Sequence, residues 1–116
     1  MLKQMTALVE LFAAHVPDRS TLDELHRIIS DRNSRHQAHD LFQRIRRKTL
    51  DASQRGDKCA ECQYLFEEVC AKTLYNLTPT SRPFDPDSPY WIVPNALTLA
   101  RRLGIEEANI TRIVAA

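Results

Sequence analysis

The stretch KCAECQYLFEEVCAK, residues 58 to 72, decides the fold class. At about 100° per residue, its apolar side chains continue as one stripe along a helix from 58 to 76. Glu61, Glu67, Glu68 and Lys72 lie mostly off this stripe. The pattern predicts an amphipathic helix whose buried face carries Cys59, Cys62, Phe66, Val69, Cys70, Thr73 and Leu77.

Apolar residues at intervals of three and four predict further helices on the N-terminal side. The first spans residues 2 to 15 and is ended by Pro17. The second begins at Ser20 or Thr21. A later helix has an apolar face formed by Leu41, Phe42, Ile45 and Leu50, and Gly56 suits the turn that follows it.

The segment between the second helix and this later one contains few helix-forming residues. Residues 30 to 34 read SDRNS, and such side chains bond their own backbone in non-helical conformations. We therefore expect a break near 31 to 34. A single continuous helix from 21 to 54 is the alternative.

A proline-rich segment follows the cysteine-containing helix. Residues 77 to 95 hold five of the six prolines, which predicts a long loop at 78–94 because proline lacks the backbone donor that helices need. Within it, residues 90 to 93 (YWIV) have strand propensity and predict one short strand. Asn95 is expected to cap the next helix, which Gly104 ends before a last helix.

Length and composition agree with this pattern. The chain has 116 residues and predicts a single helical domain, 1–116, folded as an all-α bundle of five to six helices. A net charge of +1 generates no strong field for nucleic acid or for an anionic membrane. No stretch approaches the ~20 apolar residues of a membrane span, so we expect a cytoplasmic protein without a membrane partner.

The cysteines raise the question of a metal or redox site. Cys59 and Cys62 form a C-x-x-C, and His36 and His39 form an H-x-x-H upstream. If the two helices fold back at the turn near 55 to 57, His39 lies roughly 18 Å from the cysteines, too far for a shared zinc ion. A thioredoxin-like couple expects a preceding strand. We therefore interpret the cysteines as core residues and expect no metal or cofactor.

Four consecutive or near-consecutive basic residues occur late in the predicted helix before Gly56. Arg44, Arg46, Arg47 and Lys48 complement the carbonyl end of the helix dipole. Alternatively they contact an acidic partner or phosphate. Arg44 and Arg47 are therefore secondary candidates for a partner contact.

The run TLARRLGIEEANITRIV, residues 98 to 114, resembles the helix-turn-helix motif of bacterial regulators. Ala100 occupies the small-residue position and Gly104 the turn. The resemblance implies DNA binding by the segment 96–114, with residues 106 to 114 as the recognition helix. The candidate DNA contacts of the segment 96–114 are Arg101, Asn109 and Arg112. Glu106 and Glu107, at the start of the recognition helix, would repel phosphates.

Three of the eight aromatic residues, Phe84, Tyr90 and Trp91, lie among the prolines. Aromatic anchors on a stiff segment suit partner recognition, and residues 90 to 93 would also suit pairing across a two-fold axis in a homodimer.

No local signature of a catalytic residue is present. The sequence therefore predicts a non-catalytic, cytoplasmic protein-interaction or regulatory module. A DNA-binding regulator is the alternative, and a small cysteine-dependent metal or redox protein is the third hypothesis.

Overall fold

The computed structural model describes residues 2–75 and 92–116. These residues form six α-helices and one 3-10 helix and include no strand, so the predicted all-α bundle of five to six helices is confirmed. The α-helices are α1 (Leu2–Ala13), α2 (Ser20–Ser30), α3 (Ala38–Arg55), α4 (Lys58–Tyr75), α5 (Ile92–Leu103) and α6 (Glu107–Ala115). Within the described part of the chain, no helix is long and apolar enough to cross a bilayer.

The helical conformation is interrupted between α2 and α3. Asp31 has an extended backbone, with φ −116° and ψ 104°. Its carboxylate accepts hydrogen bonds from the Asn33 N–H at 3.0 Å and the Ser34 hydroxyl at 2.7 Å. A 3-10 helix, Arg32–Gln37, then leads into α3. The predicted break is confirmed, and a continuous helix is wrong, because a short polar side chain takes over backbone groups that a helix would use.

A tight turn joins α3 to α4. Gly56 is left-handed, with φ 74°, and its N–H donates to the Ser53 carbonyl at 3.1 Å. The Asp57 N–H donates to the Ala52 carbonyl at 3.0 Å, which completes the glycine-ended helix terminus. The Asp57 carboxylate then accepts the Ala60 N–H at 3.1 Å and stabilises the start of α4.

Helices α3 and α4 are antiparallel, as two cross-helix contacts show. Near the turn, the Thr49 hydroxyl donates to the Glu68 carboxylate at 3.2 Å. At the other end, the His39 and Tyr75 rings lie 4.5 Å apart. The start of α3 therefore lies beside the end of α4, and the cysteine-bearing end of α4 lies beside the turn.

Side chains from all six helices meet in one hydrophobic core. Between α1 and α4, the rings of Phe12 and Phe66 pack edge to face with centroids 4.9 Å apart. Each such side chain contributes about 1.5–3 kcal/mol when fully buried. The largest fully buried side chains are Met5, Leu8, Phe12, Leu22, Leu25, Ile28, Leu41, Ile45, Phe66, Ile92, Leu99 and Ile110.

The buried face of α4 is wider than its apolar stripe. Phe66, Cys70 and Thr73 are buried as predicted, whereas Cys59, Cys62 and Val69 are only half-buried. Glu67 was predicted mostly off the stripe, and this prediction is wrong because its side chain is fully buried. Helix α4 packs against α2, α3 and α5, so little of its circumference remains for solvent.

Helix α5 begins earlier than the sequence suggested. The predicted strand at 90–93 is wrong for Ile92 and Val93, which form the first turn of α5. Pro94 is tolerated there because the first N–H groups of a helix have no intrahelical acceptor. Ile92 is fully buried, so its packing against the core favours the earlier start. Leu77 of the predicted stripe, and the remainder of the predicted loop and strand at 78–91, lie outside the described residues.

Candidate functional site

The basic cluster divides into two pairs with different surroundings. It lies in the middle of α3 rather than near its end, so the interpretation through the helix dipole is wrong. Arg44 donates to both carboxylate oxygens of Glu24, at 3.0 and 2.6 Å, and to Asp40 at 3.1 Å. The two hydrogen bonds from Arg44 to Glu24 hold the pKa of Glu24 below its ordinary value. Lys48 pairs with Asp18 at 3.2 Å. Arg44 and Lys48 therefore join α3 to α2 and to the preceding loop.

Arg46 and Arg47 are exposed and form no ion pair with any residue in the described ranges. Together with Phe42, Gln43 and Leu50 they line a depression of about 290 Å³ that is open to solvent. Leu50 was predicted to lie on the buried face, but 58% of its surface is exposed. It follows the buried Thr49 by one residue, which turns it about 100° away from the core.

Aromatic rings extend this region along α3. The His39 ring stacks on Phe42, with centroids 6.5 Å apart, and contacts Tyr75 of α4 at 4.5 Å. Tyr75 is 56% exposed, and it and Leu50 are the exposed large hydrophobic residues in the described ranges. We call this region the α3 surface; its members are His39, Phe42, Gln43, Arg46, Arg47, Leu50 and Tyr75. From His39 to Leu50 it runs roughly 16 Å at about 1.5 Å per residue.

A second polar group of residues, which the sequence did not reveal, extends from the partly exposed Asp18 and Lys48 to buried side chains of α4. The Gln63 amide donates to the Asp18 carbonyl at 2.6 Å and to the Glu67 carboxylate at 2.7 Å. The Tyr64 hydroxyl donates to the Asp18 carboxylate at 2.5 Å. Burial opposes ionisation of Asp18, but hydrogen bonds from Tyr64, Ser20 and Lys48 keep its pKa well below the ordinary value. This Asp18 cluster (Asp18, Lys48, Gln63, Tyr64, Glu67) ties the α1–α2 loop to α3 and α4.

The cysteines do not meet the upstream histidines. Cys59 and Cys62 lie at the turn end of α4, whereas His39 contacts Tyr75 at the opposite end. Burial raises the pKa of the Cys59 and Cys70 thiols, which lowers the thiolate fraction on which redox chemistry and metal binding depend. Across residues 2–75 and 92–116, no group of three or more potential ligands from His, Cys, Asp and Glu could hold a metal ion.

The helix–glycine–helix corner is present at the C-terminal end. Gly104 has φ 73°, and the Ile105 N–H donates to the Ala100 carbonyl at 2.8 Å. The last helix is Glu107–Ala115, one residue later than predicted. The guanidinium of Arg101 donates to the Glu107 carboxylate, and Arg112 is exposed without an ion pair in the described part of the chain. Asn109 is half-buried.

The predicted aromatic contacts Phe84, Tyr90 and Trp91 lie outside the described residues. Comparison with protein-family models, curated proteins and solved structures gives no match to this chain. Among the described residues, the α3 surface contains the two exposed large hydrophobic side chains, Leu50 and Tyr75.

Proposed function

We propose that this protein is a cytoplasmic binding module that docks a separate protein on the α3 surface. The observation that carries the proposal is Leu50, which is 58% exposed beside two arginines that have no ion pair within the described residues. The docked segment is apolar and carries carboxylates, because it must cover Leu50 and Phe42 and neutralise the guanidinium groups. Arginine and aromatic residues are also the types enriched at protein interfaces.

The supporting helices give this surface a fixed shape. The buried side of α3 packs through Leu41, Ile45 and Ala52, all fully buried, and the glycine turn fixes α3 against α4. Since the backbone of this surface is already ordered, binding costs little backbone conformational freedom, so more of the contact energy appears as affinity.

A second copy of the chain is a poor occupant of the same surface. A two-fold interface brings a patch against its own copy, which would place Arg46 and Arg47 of both copies close together. Like charges at an interface cost several kcal/mol when they are desolvated. We therefore propose a different protein as the partner.

Site-specific photocrosslinking tests this proposal. With p-benzoylphenylalanine at Gln43, we expect a crosslink to a different protein in cells of the native host. The same group at Thr98, exposed on α5, serves as the control position. Leu50→Asp should reduce the Gln43 crosslink at least tenfold, since losing an interface hot spot costs about 2 kcal/mol or more. The free energy of unfolding of the Leu50→Asp protein should differ from wild type by about 0.5 kcal/mol or less, because Leu50 is exposed.

Three outcomes would contradict the proposal. A crosslink only between copies of this chain would show self-association instead. Equal crosslinking from Gln43 and Thr98 would show non-specific contact. A Gln43 crosslink that survives Leu50→Asp would show that the α3 surface does not make the contact.

DNA binding by α5 and α6 is the second candidate, favoured by the helix–glycine–helix corner and the exposed Arg112. For this function, we expect a gel shift of duplex DNA at low salt that Arg112→Ala weakens. The slope of log affinity against log salt concentration should fall by about 1 in magnitude in this variant. Arg101→Ala should also weaken the gel shift, and Arg46→Ala on α3 is the matched control. Absence of a shift at low salt, or equal loss with Arg46→Ala, would remove this candidate.

A further inference from the structure

We infer that the segment docking on the α3 surface is an acidic amphipathic α-helix of about three turns. This inference rests on the proposed binding function and adds the shape and charge of the partner. Its basis is the arrangement of side chains along α3, which forms a groove of the kind that receives a second helix.

The groove lies between two rows of side chains with four-residue spacing. One row contains Phe42, Arg46 and Leu50, and the other contains His39, Gln43 and Arg47. The open depression is lined by members of both rows. Helices pack by inserting such a row from one helix into the groove between two rows of another, most often at a crossing angle of about −50°. The α3 surface therefore presents one half of an ordinary helix–helix contact.

The charge expected of the partner helix follows from the ion pairs of α3. Its own acidic residues are already engaged: Asp40 pairs with Arg44 at 3.1 Å and Asp51 with Arg55 at 3.6 Å. Among the described residues, no carboxylate lines the depression, which contains Arg46 and Arg47. A partner helix with carboxylates beside its apolar row would pair with these two arginines while covering Leu50 and Phe42.

Other ligand classes fit this surface less well. The described residues contain no strand, so they offer no sheet edge to which an extended peptide could add. Proline-rich ligands bind grooves lined by several aromatic rings. Among the described residues, Phe42 is the one ring that lines the depression itself, and the His39 and Tyr75 rings lie beyond its edge. A nucleic acid would contact the two arginines through phosphates but would leave Phe42 and Leu50 without an apolar partner.

Selection from a random library of displayed 14-residue peptides tests the inference directly. The full chain is the target, and Leu50→Asp protein removes peptides that bind elsewhere. We expect the enriched sequences to carry at least two carboxylates and apolar residues spaced i, i+3 or i+4, and i+7. The double variant Arg46→Glu, Arg47→Glu should weaken a selected peptide at least tenfold. A partner peptide with Lys in place of Glu should recover binding to that variant.

Defined results would overturn the inference. One is enrichment of proline-rich or basic peptides, and another is no enrichment on the wild-type protein over the Leu50→Asp protein. A selected peptide whose affinity is unchanged by a central proline would not bind as a helix. Displacement of a selected peptide by duplex DNA would also contradict the inference. All the substituted positions are exposed. Urea midpoints equal to that of the wild type would show that weaker peptide binding by the variants is not caused by unfolding. If the Gln43 crosslink forms while the selection fails, the binding function stands and the helical acidic partner is wrong. If both fail, the proposed function is wrong as well.

Discussion

Replacing Phe66 with alanine is expected to lower the free energy of unfolding by about 3–5 kcal/mol. The ring is fully buried in the middle of α4 and packs edge to face on Phe12 of α1. Truncation removes the transfer free energy of the ring and leaves a cavity that a close-packed interior fills only in part. Since domains of this size are stable by about 5–15 kcal/mol, the loss is a large share of the total.

Urea unfolding followed by circular dichroism measures this effect. If the alanine variant does not fold, Phe66→Leu retains most of the volume and should cost less than about 1.5 kcal/mol. Combining Phe66→Leu with Phe12→Leu should reveal a coupling of about 0.5–1.5 kcal/mol from the lost ring pair. Tyr75→Ala is the matched control, an exposed aromatic residue on the same helix, expected to change stability by about 0.5 kcal/mol or less. A Phe66→Ala cost below the Tyr75→Ala cost would contradict the central position of the ring.

Features set by neighbouring residues could be predicted from the sequence. The glycine turn at 56, the break after α2 and the helical period around Phe66 each depend on side chains within a few positions. Local backbone preferences and the spacing of apolar residues decide such features directly. The all-α class followed from them because each helix is long enough to show its period.

Features set by distant residues could not be predicted. Ile92 begins α5 because the core buries it, although the surrounding prolines argue for a loop. Pro94 is acceptable in a first turn, but the sequence does not say where that turn starts. Here tertiary burial outweighs local propensity.

The same distinction applies to the α3 surface. Arg44 and Arg47 look equivalent in the sequence, yet Arg44 bonds Glu24 from α2, twenty residues away, and Arg47 remains exposed. Only the packing of α2 against α3 separates the two. Leu50 did carry a local signal, because it is five residues beyond Ile45 and so lies well round the helix from the buried face.

Glu67→Gln is expected to stabilise the protein above pH 7 by up to about 3 kcal/mol, at about 1.4 kcal/mol per pKa unit. Burial raises the pKa of Glu67 from 4.5 to about 7. The nearby Thr21 hydroxyl, the Gln63 amide and Lys48 offset only part of this effect. One carboxylate oxygen, Oε1, makes no hydrogen bond in the described part of the structure. An ionised carboxylate in this position is therefore costly, and a glutamine avoids the charge while keeping an acceptor for Gln63.

The sign of the pH dependence follows from the raised pKa. The folded protein holds the Glu67 proton more tightly than the unfolded chain, so this contribution to stability is fully present below pH 4.5 and is lost as the pH rises to about 7. Asp18 and Glu24 have lowered pKa values, so their contributions are lost only as the pH falls below their ordinary values of 3.8 and 4.5. Between pH 5 and 8, the changing difference between wild type and Glu67→Gln therefore reports on Glu67.

Urea unfolding of both proteins at pH 5, 6, 7 and 8 should show the advantage of the variant growing with pH. Glu106→Gln is the matched control, because that carboxylate is exposed and makes no capping hydrogen bond at the start of α6. Its difference from wild type should stay nearly constant over the same range. A constant difference for Glu67→Gln, or a loss of stability at pH 8, would contradict a buried carboxylate that ionises near neutral pH. The Asp18 cluster would then favour the charged form, and its lysine would outweigh the burial of the side chain.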